Sequence, residues 1–175
     1  MHYLFYFLLT FIFSQGVHIY LLVSQRQSRK WSISAHAANN TRTHTLYIIG
    51  HVLAGASFVL FSYEFFYQLH RLPVIFYAAC AGVLFDYIQA LLPARGKTNA
   101  IHTIAAYIMW LLYVGVGLLG YVMISLNLIQ KILAGCLFVA MLSVLTYTHF
   151  NQNKLYRKQM LMIALYFLAM LVLIV

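Results

Sequence analysis

The chain has 175 residues, of which 64% are hydrophobic, 17% aromatic and 7% charged, with a formal net charge of +9. A soluble domain carries about 25% charged residues, so no water-facing surface can be built from this composition. That excludes an ordinary soluble enzyme, a disordered chain and an independent nucleic-acid-binding domain, and leaves an integral membrane protein.

A helix needs about 20 mostly apolar residues to cross the hydrocarbon core. Six segments meet that requirement, near 2–24, 46–67, 74–92, 100–124, 130–149 and 158–175. Their length and lack of alternation argue against strands. The expected fold is an all-α, polytopic helical bundle forming one transmembrane domain over 1–175. Nothing basic precedes Tyr3, whereas Arg26, Arg29 and Lys30 follow the first apolar run, so that run reads as a retained first helix and not as a signal peptide. The polar connection from Gln25 to Thr45 is predicted to hold a short surface helix, and Pro73 and Pro93 mark tight turns. Gly50, Ala54, Ala79, Gly82, Gly115, Gly117 and Gly120 suit close helix packing. Cys80 and Cys136 sit in apolar runs without a CxxC partner and read as small buried hydrophobes.

Six crossings put both termini on one side. Arg26, Arg29, Lys30, Arg42, Arg95, Lys97, Lys154, Arg157 and Lys158 then face one compartment, and only Arg71 and Lys131 the other. Nine against two is a strong positive-inside signal. It predicts a cytoplasmic nine-charge face, both termini on the non-cytoplasmic side, and a multi-pass protein of a bacterial-type inner (cell) membrane. Arg26, Arg29, Lys30, Arg95, Lys97, Arg157 and Lys158 are expected to meet lipid head groups. No nucleic-acid partner is expected, because basic and aromatic residues do not interleave on a soluble surface.

Ionisable groups inside spans are costly and are functional candidates by default. There are two acids, Glu64 and Asp86, against eight histidines. At about 1.5 Å of rise per residue, His18, His51, Asp86 and His102 reach a similar height in the cytoplasmic half, although they enter on separate helices. His149 closes the fifth span, and His36 and His44 lie in or beside the inner loop. His51, Asp86, Gln89, His102 and His18 form the candidate ligand-binding or polar cluster. A neighbouring His, Arg95 or Lys97 would keep Asp86 ionised. Neutral imidazoles are metal ligands and carboxylates ligate or support them, which makes His51, Asp86 and His102 the candidate metal set, for a metal ion or a haem. The same groups could relay protons. Interhelical hydrogen bonding by Asp86 and His102 is the purely structural reading. No histidine pair has zinc-motif spacing, since His44 and His51 are seven apart. Glu64, beside Gln68, His70 and Arg71, is expected to form an ion pair at the outer surface.

Gly96-Lys97-Thr98 has the ending of a P-loop, but the glycine that motif needs five residues earlier is Leu91 here. The segment is therefore a turn, and it brings Asp86, Gln89 and His102 together in one helical hairpin. No span carries a mid-membrane lysine, which excludes a retinal protein. The sequon Asn39-Asn40-Thr41 falls on the cytoplasmic side and should stay unmodified.

Ser32-Ile33-Ser34-Ala35-His36, then Phe85 through Pro93, then His102 with Ala106-Tyr107, resembles the layout of six-helix membrane proteins of the DUF998 type, related in general form to the Frag1/DRAM group. The resemblance covers residues 30–125, departs from the pattern at Ala35, where an acid commonly follows the Ile-Ser pair, and implies a fold without implying an activity. Asp86, His51, His102 and Ser57 are similar to the inventory of intramembrane zinc hydrolases of the ceramidase and adiponectin-receptor type, but the HxxxH expected on the last helix has no counterpart, because the sixth span contains no His. The sequence thus points to a membrane protein that binds a small or lipid-like ligand or serves as a subunit of a membrane complex or homo-oligomer. A metal- or haem-dependent intramembrane hydrolase or redox enzyme is the alternative.

Overall fold

The structure is a computed structural model and describes residues 2–24, 32–150 and 155–175, the side chains of His149 and Phe150 excepted. Arg26, Arg29, Lys30, Lys154 and the His149 side chain lie outside what is described. The described residues are helical almost throughout and contain no strand: α1 (Tyr3–Ser24), α2 (Ile33–Ala37), α3 (Thr41–Ser62), α4 (Pro73–Leu91), α5 (Asn99–Met123), α6 (Leu128–Phe150) and α7 (Leu155–Ile174). All but α2 are long and apolar enough to cross a membrane. Large apolar side chains stand outside in a way that water would not tolerate, among them Leu111 at 73% and Val122 at 75% exposure. The protein is an all-α, multi-pass membrane protein.

The expected spans are recovered with shifted ends. α3 begins at Thr41, five residues before the apolar run, because Asn40 caps it: the Asn40 Oδ1 accepts from Thr43 N at 2.9 Å. His44 and Arg42 therefore belong to a helix and not to the loop. The short helix foreseen between spans one and two exists as α2, but it is not a surface helix. Ile33, His36 and Ala37 are at most 5% exposed, since Ile-Ser-Ala-His-Ala offers a small, largely apolar segment that packs against α1 and α3. Thr43 Oγ1 ties it down by donating to Ala37 O at 2.9 Å.

The described residues group into two compact units. One comprises α1 and Ile33–Val116, the other Gly117–Val175, and the boundary falls inside α5. In the first unit α1 lies antiparallel to α3. Ring pairs Tyr3–Phe65, Phe7–Phe61 and His18–His51, at 5.4, 5.3 and 5.6 Å between centroids, show numbers rising on one helix as they fall on the other. Gly50 lets Val17 sit directly on the α3 backbone. At Gly82 a Cβ would stand 2.8 Å from Cε1 of Tyr113, so the missing side chain sets how closely α4 and α5 approach. In the second unit α6 packs on α7, and Gly117 lies under Phe138, whose ring atoms a Cβ would meet at 2.8 Å.

Past Ser62 the α3 axis continues as one wide π-helical turn, Tyr63–Leu69. It is closed by backbone bonds from His70 N to Phe65 O (3.1 Å) and from Leu72 N to Phe66 O (2.8 Å). Arg71 then adopts a left-handed φ of 57° before Pro73 starts α4. Phe61, Phe65 and Phe66, none more than 2% exposed, interlock there. The ion pair expected for Glu64 is not formed. Among the described residues the only His, Lys or Arg pairing with a carboxylate is that of His51 with Asp86.

Candidate functional site

His44, Tyr47 and His51 of α3 and Asp86 and Gln89 of α4 lie at the end of the first unit opposite the phenylalanines. On α3, His44, Tyr47 and His51 follow at i, i+3 and i+7, so they share one face. Asp86 and Gln89 on α4 stand at i and i+3 and share a face likewise. His51 Nδ1 lies 2.8 Å from Asp86 Oδ1. Because a carboxylate oxygen only accepts, Nδ1 carries the proton and donates. Gln89 Nε2 donates to the same oxygen at 3.0 Å, and Tyr47 Oη donates to Gln89 Oε1 at 3.1 Å. Asp86 is 5% and Gln89 3% exposed. The carboxylate is thus solvated by two side-chain donors in place of water, which a buried charge requires.

Above this layer, His51 touches two further rings. The Tyr47 ring centroid lies 4.2 Å from that of His51, and the His18 ring, supplied by α1, lies 5.6 Å away. His51 Nε2 is shielded from solvent and has no hydrogen-bond partner among the described residues. With Nδ1 donating to Asp86, Nε2 presents a lone pair. It can accept a hydrogen bond.

Of the residues singled out from sequence, His51, Asp86 and Gln89 are joined directly by hydrogen bonds, and His18 approaches ring to ring. His102 takes a different role. Its Nδ1 faces Gln89 O at 2.7 Å and Leu92 O at 2.8 Å, both of them acceptors, so Nδ1–H donates to the end of α4. His44 Nε2 reaches Ala90 O at 3.1 Å and donates there too. The last carbonyls of a helix lack intrahelical partners, and two imidazoles from α3 and α5 satisfy them here. The candidate metal set His51, Asp86 and His102 is not joined by hydrogen bonds: His102 engages only backbone, through Nδ1. Among the described residues no three His, Cys, Asp or Glu side chains are placed to hold a metal ion. Arg95 and Lys97 do not serve Asp86 either. Both are exposed, on a 3₁₀ turn (Gly96–Thr98) where Gly96 takes the left-handed φ of 59° and Thr98 Oγ1 donates to Pro93 O. Arg157 is exposed and Lys158 Nζ lies 4.3 Å above the Tyr147 ring.

Tyr47 of the layer and the buried Gln15 of α1 escape a reading of the sequence alone. Tyr47 lies one turn before His51 and Gln15 lies three before His18, so both are signalled by the same helical spacing that groups the ionisable residues; a search restricted to charged groups passes over them. Comparison with protein-family models, with curated proteins and with solved structures gives no match for this chain.

Proposed function

We propose that this multi-pass membrane protein binds a small or lipid-like ligand at the His51–Asp86 pair, in the cytoplasmic half of an inner (cell) membrane. The observation that carries the reading is the His51 imidazole itself. One nitrogen is fixed by a buried carboxylate at 2.8 Å, and the other is buried and unpartnered among the described residues. A buried acceptor left unmade costs about 1–3 kcal/mol, so a group that supplies the missing donor gains that energy on binding. Asp86, Gln89 and Tyr47 orient the ring in advance, which lowers the entropic cost of recognition. The asymmetry of nine basic residues against two supports the cytoplasmic assignment.

The test is retention of endogenous small molecules. The full chain and its His51→Gln and Asp86→Asn variants would be purified in mild detergent and extracted, and the extracts compared by mass spectrometry together with metal content and visible spectra. A species held by the wild type and lost from both variants is the expected result. Indistinguishable extracts from all three proteins would refute a ligand role for the pair, and a stoichiometric metal or a Soret band would replace it with cofactor chemistry.

A further inference from the structure

The register between α1 and α3 brings a second buried group into play. Tyr3 meets Phe65, Phe7 meets Phe61 and His18 meets His51. Continuing that pairing sets Gln15 level with Leu53 and Ala54, about one helical turn from His51. Gln15 is 6% exposed, and its Nε2 is buried with no hydrogen-bond partner among the described residues. An apolar side chain would fill the same volume without that penalty. Two facing helices therefore each hold, on residues about one turn apart in register, a buried polar atom without a hydrogen-bond partner among the described residues, one a donor (Gln15 Nε2) and the other an acceptor (His51 Nε2).

We propose that Gln15 and His51 together form a site for the hydroxyl group of a membrane-soluble alcohol. This rests on the reading of His51 above and names the chemical class of its ligand. A hydroxyl is the smallest group that accepts and donates at a single atom, so one oxygen can take the Gln15 amide hydrogen and give its own to His51 Nε2. A carboxylate or ketone has no proton to give to His51, and the neighbouring Asp86 repels an anion. An ammonium has no lone pair for Gln15. Beside the His18 and Tyr47 rings, the seam holds Val17 against Gly50 and the buried Ala54, which are apolar, and the outer face of α1 exposes Phe11, Ile12 and Ile19. The hydroxyl therefore arrives on a hydrocarbon carrier from the bilayer.

The experiment uses the full chain in phosphatidylcholine nanodiscs, with thermal unfolding followed by tryptophan fluorescence as 1-decanol, its methyl ether or decane is added. Decanol should raise the midpoint saturably, and the ether and the alkane should not. Gln15→Leu should unfold at or above the wild-type midpoint in the absence of probe, which shows an intact fold, and should bind decanol about fivefold more weakly, the equivalent of one lost hydrogen bond of about 1 kcal/mol. Equal responses to alcohol and ether, no response to decanol (a site that takes water alone), or an unchanged decanol affinity in Gln15→Leu would each overturn the proposal. If His51→Gln loses the decanol response while Gln15→Leu keeps it, the Gln15 assignment falls and the His51 reading stands. If both variants keep it, neither does.

Discussion

Replacing Asp86 by alanine removes an acceptor on which two buried donors depend, His51 Nδ1 at 2.8 Å and Gln89 Nε2 at 3.0 Å. Each stranded donor costs about 1–3 kcal/mol, and interhelical hydrogen bonds in membranes sit toward the low end, averaging about 0.6 kcal/mol with a maximum near 1.7. The side chains are only 12% and 7% exposed for His51 and Asp86, so solvent screens the pair little. The expected loss for Asp86→Ala is about 1–3 kcal/mol, or a fall of roughly 2–12 °C in midpoint at about 2–4 °C per kcal/mol for a chain of this size. Asp86→Asn keeps one oxygen for His51 but adds a donor without an acceptor, and should fall between wild type and alanine. The decisive measurement is a double-mutant cycle with His51→Ala, read by reversible unfolding in detergent. Because both single variants disrupt the same bond, the double variant should be less destabilised than their sum by about 1–2 kcal/mol. A coupling below about 0.3 kcal/mol, with the two losses additive, would show that the pair carries no energy and would remove the basis of the site.

The remaining predictions are local. Glu64→Gln should change stability by less than about 0.5 kcal/mol, since Glu64 makes no ion pair among the described residues; a loss as large as that of Asp86→Asn would contradict the geometry at the π-helical turn. Asn40→Ala removes the side-chain cap of α3 and should cost about 1 kcal/mol, measurable as a midpoint shift that Asn40→Asp largely restores. Gly82→Ala drives a Cβ to 2.8 Å from the Tyr113 ring and should cost about 1–3 kcal/mol, whereas at Gly115 a Cβ meets nothing within 4 Å and alanine should be neutral or stabilising; equal effects at the two positions would refute the close approach of α4 and α5. Burial lowers the His70 imidazole below its ordinary value of 6.5. The unfolded chain then binds more protons than the folded one, so stability should decline as pH falls through the region of 6.5 and below. His70→Phe, which keeps a ring against Phe65 at the 4.6 Å contact, should flatten that slope, and an unaltered pH profile would exclude His70 as its source.

Much of this protein is legible along the chain. The number of crossings follows from hydrophobic run length against a fixed hydrocarbon thickness, a comparison that needs no knowledge of neighbours, and all six long helices lie where the composition puts them. The grouping of His51, Asp86 and Gln89 at one height is likewise visible, because rise per residue converts position into depth. Partner choice is not. His102 has the same apparent depth as His51 but turns its ring onto the carbonyls of Gln89 and Leu92, and His44, which its place in the sequence sets beside the inner loop, caps Ala90. Glu64 has cations near in sequence and pairs with none among the described residues, in a segment that leaves the α-helical path for a π-helical turn. The unanswered amide of Gln15 emerges only once α1 is laid against α3. Depth in a bilayer is a property of one helix and its sequence, whereas the azimuth of a side chain, and so whether it meets a carboxylate, a backbone carbonyl or nothing, is decided by how neighbouring helices rotate to bury one another.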